Sequence, residues 1–172
     1  MRVVAGTLGG RRLTTPPGND TRPTTDKVRQ AVFNSLDSAG LLDGAVVADL
    51  FAGSGAMGIE ALSRGAARCV FVEKDREALT ALRSNLSTLG LVASTEVVAG
   101  DAVTVAGRLG DVDLVIADPP YSFDGWADLL GRITADDVVA ESDRAIEAPA
   151  GWEAVRSRRY GRTFITWLRR IA

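Results

Sequence analysis

Between residues 44 and 121 the chain repeats one pattern: a short, almost unbroken apolar run, a glycine or acidic corner, then a longer stretch whose apolar residues recur three and four apart. The runs at 45–50, 68–72, 95–99 and 112–117 are too short for helices and too continuous for strands with a wet face. Strands buried on both sides read this way. The stretches 57–63, 76–89 and 126–133 predict helices. Strand and helix in alternation predict an α/β fold, a doubly wound, mostly parallel sheet covered on both faces. The tail alternates instead, and 152–158 with 162–169 predict an antiparallel hairpin closing the sheet. Residues 135–148 are too polar for a strand to be assigned there.

Ahead of this pattern, residues 2–5 and 11–14 are β-prone pieces around Gly6-Thr7-Leu8-Gly9-Gly10 and predict a small hairpin. Residues 14–26 hold three prolines and an Asn-Asp pair, which predicts an exposed loop. A helix capped by Thr24 or Thr25 follows, with Val28, Ala31, Val32, Ser35 and Leu36 on its docking face. The organisation expected is a β-hairpin/helix extension over residues 1–40 and a main domain over 41–172. The 172 residues, 46% hydrophobic, suffice for one core and not for two domains of ordinary size. No run approaches the roughly 20 apolar residues of a membrane span, and the first residues lack the apolar core of a secretory signal. A soluble cytoplasmic protein is expected.

Charge is spread unevenly. Residues 1–30 hold six basic side chains against two acidic, a balance of +4, and residues 151–172 hold six arginines against Glu153, a balance of +5. The total is −2, so the middle carries −11. Basic ends around an acidic body suit a phosphate-bearing partner gripped by the ends, though charges on ordinary solvated surface give the same arithmetic. The absence of histidine excludes His-based triads, imidazole acid–base catalysis and the common zinc sets. The single cysteine, Cys69, sits in an apolar run and reads as packing.

Four predicted strands end at or beside a carboxylate: Asp49, Glu73, Asp101 and Asp118. Ligands of an open parallel sheet bind beyond the carboxyl ends of its strands, so these acids point to one cleft. Helix capping by Asp101 or Asp49 is the plainer alternative. The first corner, Asp49-Leu50-Phe51-Ala52-Gly53-Ser54-Gly55-Ala56-Met57-Gly58, contains Gly-x-Gly-x-x-Gly and brings backbone close to a ligand at a helix start. That suits a dinucleotide or S-adenosylmethionine, with Glu73 as acceptor for ribose hydroxyls in either case. A carboxylate ahead of the glycines favours the second, because Asp49 can face a cationic methionine end and gains nothing from a pyrophosphate. At the fourth strand end, Asp118-Pro119-Pro120-Tyr121 decides the matter. An exocyclic amine on a nucleobase is a poor nucleophile and has to be held by acceptors. A carboxylate and a carbonyl flanking two prolines supply them on a backbone of fixed φ without competing N–H groups. Tyr121 offers a face on which an unstacked base can lie.

Asp49 to Gly55, Glu73 and Asp118 to Tyr121 resemble class I adenosylmethionine-dependent amino-methyltransferases. Arg22-Pro23-Thr24-Thr25-Asp26-Lys27-Val28-Arg29, then Phe33-Asn34, and Gly58-Ile59-Glu60-Ala61-Leu62-Ser63-Arg64-Gly65 are more restrictive. They resemble the RsmD family, bacterial enzymes that methylate the N2 amine of the guanine at position 966 of 16S ribosomal RNA. The resemblance implies a Rossmann-like sheet of seven strands and a monomer acting on 16S rRNA within a small-subunit particle. It implies that Asp49, Phe51, Gly53, Ser54 and Gly55 hold the methionine part of S-adenosylmethionine, Glu73 the ribose, and Asp101 with Ala102 the adenine edge. Asp118, Pro119, Pro120 and Tyr121 would position the amine, the lost proton going to Asp118 or to water. Arg11, Arg12, Arg22, Lys27 and Arg29 would meet RNA phosphates. No metal is needed for in-line transfer. Other readings are a DNA adenine-N6 or other RNA amino-methyltransferase, a nicotinamide-dependent oxidoreductase, and a non-catalytic ribosome-assembly factor. Glu141-Ser142-Asp143-Arg144 departs from the apolar strand usual in the family.

Overall fold

The computed structural model describes residues 1–17 and 25–172. The chain runs through α1 (Asp26–Ser38), β1 (Val46–Leu50), α2 (Ala56–Ser63), β2 (Arg68–Glu73) and α3 (Arg76–Thr88). After a short 3-10 turn come β3 (Thr95–Ala99), α4 (Ala102–Ala106), β4 (Leu114–Ala117), α5 (Trp126–Arg132), β5 (Asp137–Ser142), β6 (Trp152–Tyr160) and β7 (Thr163–Arg170). Seven strands make one sheet in the order β3-β2-β1-β4-β5-β7-β6. The first five in that order are parallel; β7 runs antiparallel to β5, and β6 to β7. This is a doubly wound, Rossmann-like α/β fold, and its strand order reverses between β1 and β4.

Alternation along β1 explains how both faces are covered. Val47 points into a cluster with Phe33 and Leu36 of α1, Ile59 of α2 and Leu82 of α3. Ala48 and Leu50 point the other way, into a cluster with Ala106 of α4, Leu129 and Leu130 of α5 and Leu168 of β7. Each large apolar side chain fully buried there contributes roughly 1.5–3 kcal/mol. Phe71, Ile59, Leu82, Leu114 and Leu129 are all fully enclosed.

β5 corrects the sequence reading. Residues 137–142 form a strand in which every residue is buried, Asp137 and Glu141 included. Its polarity is tolerated because β7, thirty residues downstream, supplies partners. Asp137 Oδ1 accepts hydrogen bonds from Trp167 Nε1 at 2.7 Å and Arg169 Nε at 3.0 Å. A buried carboxylate held by two donors costs far less than a bare one. The helix α4 also went unpredicted, and the β4 run is shorter than expected, starting at Leu114.

The N-terminal residues form the expected hairpin in a minimal version, with one antiparallel bridge between Arg2 and Arg12. Val3 N–H donates to the Arg11 carbonyl and Leu13 N–H to that of Met1. Val3 and Leu13 join the core cluster of α1 and α2. Two polar residues of α2 fasten this segment. The fully buried Glu60 accepts from the N–H groups of Val4 (2.8 Å) and Ala5 (3.0 Å), and Ser63 Oγ accepts from Leu8 N–H at 2.9 Å. Gly6 lies so close to Ser63 that a Cβ would fall 2.0 Å from its carbonyl oxygen. Arg64 completes the joint, with Nε on Glu60 at 2.9 Å and one NH2 group on Asn34 at 3.0 Å. α1 starts at the Thr25 cap, whose hydroxyl accepts from Val28 N–H. Thr24, the other cap considered, lies outside the described residues. The buried face of α1 is Arg29, Val32, Phe33 and Leu36, rotated by one residue from the predicted one, because Phe33 displaces Val28 and Ala31 toward the rim.

Among the described residues no helix is long and apolar enough to cross a membrane.

Candidate active site

β1 and β4 are hydrogen-bonded neighbours, and their last residues, Leu50 and Ala117, are register partners. The glycine corner after β1 and the Asp-Pro-Pro-Tyr corner after β4 therefore leave the sheet side by side, at the point of strand-order reversal. Asp118 N–H reaches back to the Leu50 carbonyl at 3.4 Å.

The glycine corner begins with a strained residue. Phe51 has φ of +59°, the only non-glycine among the described residues in the left-handed region. Such a conformation for an aromatic residue persists only where its surroundings impose it. Its ring packs edge-on against Phe123 at 5.3 Å, and Phe123 packs edge-on against Trp126 at 5.2 Å. An aromatic wall thus joins the glycine corner to the segment after Tyr121. The three glycines differ in role. A Cβ on Gly55 would sit 2.4 Å from Leu82 Cδ1, and one on Gly58 would sit 2.4 Å from Phe71 Cε1, so both exist for close packing of α2 on β2 and α3. Gly53, with φ of +58°, faces open space, which leaves its backbone accessible.

Acids anchor both ends of this corner. Glu73, at the end of β2, accepts from Gly53 N–H at 2.7 Å, Lys74 N–H at 2.8 Å and Asp75 N–H at 2.9 Å. Asp49 Oδ2 accepts from Gly58 N–H in the first turn of α2 at 2.9 Å. Asp49 is buried beneath the corner. Desolvation pushes its pKa up to about 8, against the Gly58 hydrogen bond and with some repulsion from Glu73. Ser54 is buried, and its carbonyl accepts from Asn85 Nδ2 at 2.9 Å. Asn85, itself buried on α3, also donates to the Thr14 carbonyl (2.9 Å) and accepts from Thr14 N–H (2.8 Å). One amide therefore ties the N-terminal segment to the glycine corner.

Asp101 caps α4. Its carboxylate accepts from Thr104 N–H at 3.0 Å, and that bond holds its pKa below the usual range despite partial desolvation. Ala102, the next residue, is buried. Both lie just beyond the end of β3, beside Glu73 at the end of β2, since Glu73 pairs in register with Ala99.

At the β4 corner Pro119 is buried and Pro120 exposed, and Phe123 N–H donates to the Pro120 carbonyl at 2.9 Å, closing a turn. The Tyr121 hydroxyl lies 3.0 Å from Thr163 Oγ1, which fixes the ring against the start of β7. Asp118 is partly exposed.

The basic residues divide. Arg11 and Arg12 on the hairpin and Lys27 in the first turn of α1 are exposed. Arg22 lies outside the described residues. Arg29 is a correction: its side chain is enclosed on the inner face of α1, with one guanidinium nitrogen 2.8 Å from Asp26 Oδ1, so it is not a surface cation. Helical spacing explains this, because positions 32, 33 and 36 on the same face carry Val, Phe and Leu. Sequence reading also passed over Phe123 and Asn85. An aromatic two residues past Tyr121 was a usable signal for the first, and nothing in the pattern marked the second.

Comparison with known proteins places this arrangement. Residues 1–169 match the family model described as "Conserved hypothetical protein 95". The chain is 41% identical over 160 residues to the "Putative rRNA methyltransferase YlbH" of Bacillus subtilis (strain 168), covering 87% of this chain and 86% of that one. It is 40% identical over 122 residues to the "Ribosomal RNA small subunit methyltransferase D" of Escherichia coli (strain K12), covering 70% of this chain and 60% of that one. The solved structure of the Escherichia coli "Putative methyltransferase yhhF" superposes with a TM-score of 0.86 at 33% identity, over 99% of this chain and 97% of the other.

Proposed function

The chain belongs to the RsmD family, and from that membership we propose that it transfers the methyl group of S-adenosylmethionine to the exocyclic N2 amine of a guanine in 16S ribosomal RNA. The observation that carries this reading is the adjacency of the two corners across Leu50 and Ala117. A donor held at the first lies beside an amine held at the second.

The residues present fit the cofactor. The corner is lined by carboxyl groups, Asp49, Glu73 and Asp101, which suits a ligand carrying cations and hydroxyls. When bound, S-adenosylmethionine supplies an electrophilic methyl group on a sulfonium. Asp49, Phe51, Gly53, Ser54 and Gly55 hold its methionine part, Glu73 its ribose, and Asp101 with Ala102 its adenine edge. Glu73 spends three acceptor positions on backbone N–H groups. A carboxylate has about four, so one remains for a hydroxyl. A cation beside Asp49 would favour its ionised form, opposing the burial that now keeps it neutral.

Asp118 and the carbonyls around Pro119 and Pro120 accept hydrogen bonds from the guanine amine and orient its lone pair, and the proton it sheds passes to Asp118 or to water. Tyr121 gives the base a face to stack on, and the Thr163 contact keeps that face fixed. Placement of nucleophile and donor in line supplies most of the acceleration. The N-terminal extension, residues 1–40, contacts RNA phosphates through Arg11, Arg12 and Lys27. The working form is a monomer acting on the small-subunit particle.

The test is incubation of labelled S-adenosylmethionine with naked rRNA, assembled small subunits and duplex DNA, followed by nucleoside analysis. N2-methylguanosine from the ribosomal substrates is expected, and Asp118→Ala abolishes it while S-adenosylhomocysteine binding survives. Methyladenine in DNA, or unchanged turnover in Asp118→Ala, overturns the proposal.

A further inference from the structure

The six arginines of the last 22 residues have no role in the site described so far. The fold gathers them on the β6–β7 hairpin, where β6 is the sheet edge and is exposed along nearly its whole length. Arg169 pairs with Asp137. Arg156, Arg158, Arg159 and Arg162 have no carboxylate within salt-bridge distance among the described residues.

Two of these, Arg156 and Arg158, share one face of the hairpin with Tyr160 and Trp167, and together they line an open groove against Ala31 and Ser35 of α1. Arg156 is steadied by the Ser35 hydroxyl at 3.1 Å. Tyr160, at one end of the groove, borders the candidate active site. Tyr160 pairs in register with Thr163, Arg158 with Ile165 and Arg156 with Trp167. Thr163 is the residue that touches the Tyr121 hydroxyl. From that contact the two arginines stand roughly 7 and 13 Å along the strand. An extended single strand of RNA presents its phosphates at a comparable interval.

We infer that this groove holds the single-stranded RNA flanking the target nucleotide, with Arg156 and Arg158 on successive phosphates and Tyr160 offering an aromatic face to a base, while Trp167, with Arg169 against its ring, walls the groove. The inference rests on the rRNA reading above and adds to it the path of the strand. Unpaired guanidiniums interleaved with half-buried rings are what a single strand recognises, through its backbone charge and through stacking. A protein partner would need acidic residues opposite four arginines, whereas a single strand meets them with the phosphate charge every nucleotide carries.

The experiment compares Arg156→Glu/Arg158→Glu with Arg76→Glu/Arg83→Glu, an equal charge change on exposed residues of α3 at the other end of the sheet. S-adenosylhomocysteine affinity measured on each variant reports folding. For the groove variant the KM for ribosomal substrate rises at least tenfold with kcat within twofold. The slope of log affinity against log salt becomes shallower by about 1.4, two contacts of about 0.7 each. The α3 variant changes neither. Arg158 replaced by a photoreactive p-benzoylphenylalanine crosslinks to rRNA near the modified guanine. Unchanged KM and slope in the groove variant, equal losses in both variants, or crosslinking to a ribosomal protein alone overturns the inference. Failure of the rRNA reading itself is distinguishable, since the wild-type enzyme would then methylate no ribosomal substrate.

Discussion

Replacing Asp49 by asparagine isolates the electrostatics of the buried carboxyl from the rest of the fold. Desolvation raises its pKa from 3.8 to about 8. Between these values the folded protein holds one proton more than the unfolded chain, so rising pH favours unfolding, by about 1.4 kcal/mol per pH unit. The stability this group contributes is complete below its unfolded pKa and is lost as pH rises to about 8, where the folded state ionises too and the slope ends. In Asp49→Asn the amide oxygen still accepts from Gly58, and the exchange of O for NH2 adds an offset of at most about 1–3 kcal/mol, the cost of an unsatisfied buried donor. That offset does not vary with pH. The unfolding free energy of Asp49→Asn minus that of wild type therefore climbs by about 2 kcal/mol from pH 6 to pH 8, then flattens above it. Urea denaturation of the cofactor-free proteins, followed by fluorescence of the three tryptophans, measures it. The chain has no histidine to titrate across this window, and the terminal amine cancels in the difference. Two parallel stability curves from pH 6 to pH 8 would mean that Asp49 is charged in the folded protein, and the argument from desolvation would fail.

Two other substitutions probe the scaffold of the site. Asn85→Leu strands the Thr14 N–H and carbonyl and the Ser54 carbonyl, and should cost about 2–4 kcal/mol in urea denaturation while weakening S-adenosylhomocysteine binding by calorimetry. A loss below about 1 kcal/mol would deny the bridge its role. Gly58→Ala forces a methyl group to within 2.4 Å of Phe71 and 2.7 Å of Cys69, and overpacking of this kind costs about 1–3 kcal/mol. Gly53→Ala meets no atom and carries only the left-handed φ penalty of about 1 kcal/mol, so the reverse ranking in thermal denaturation would contradict the division of roles among the glycines.

What the sequence disclosed of the fold was its periodic part. The apolar runs of β1, β2 and β4 and the amphipathic α3 are legible because a strand buried on both faces and a helix buried on one leave different spacings, whereas β3, expected to be buried on both faces, is an edge strand with no fully buried residue. β5 escaped because its polar residues are satisfied from β7, and nothing local to residues 137–142 reveals a donor thirty residues away. Arg29 was misjudged for a related reason. Its charge suggested surface, whereas its helical position, one turn before Phe33, places it inside. At the site, the two corners were legible because their chemistry needs particular residue types in short order, and the wall from Phe51 through Phe123 to Trp126 was not, because it forms only when two strand ends meet.

The residues that organise this molecule most tightly share a property that hides their partners from sequence. Asp49, Glu60, Glu73 and Asn85 all bond chiefly to main-chain groups, of Gly58, of Val4 and Ala5, of Gly53, Lys74 and Asp75, and of Thr14 and Ser54. Because every residue but proline carries the same N–H and C=O, such a bond leaves no trace in the identity of its partner. An ion pair can be guessed from opposite charges; these contacts cannot. Their effect is nonetheless specific. Glu60 and Asn85 fasten the N-terminal segment at two points, one on α2 and one on α3, and Asn85 passes that attachment on to Ser54. Glu73 and Asp49 hold the glycine corner from either end, at Gly53 and at Gly58. The corner is thus shaped by protein before any ligand arrives, and binding there need not supply the ordering free energy that a loose glycine loop would demand.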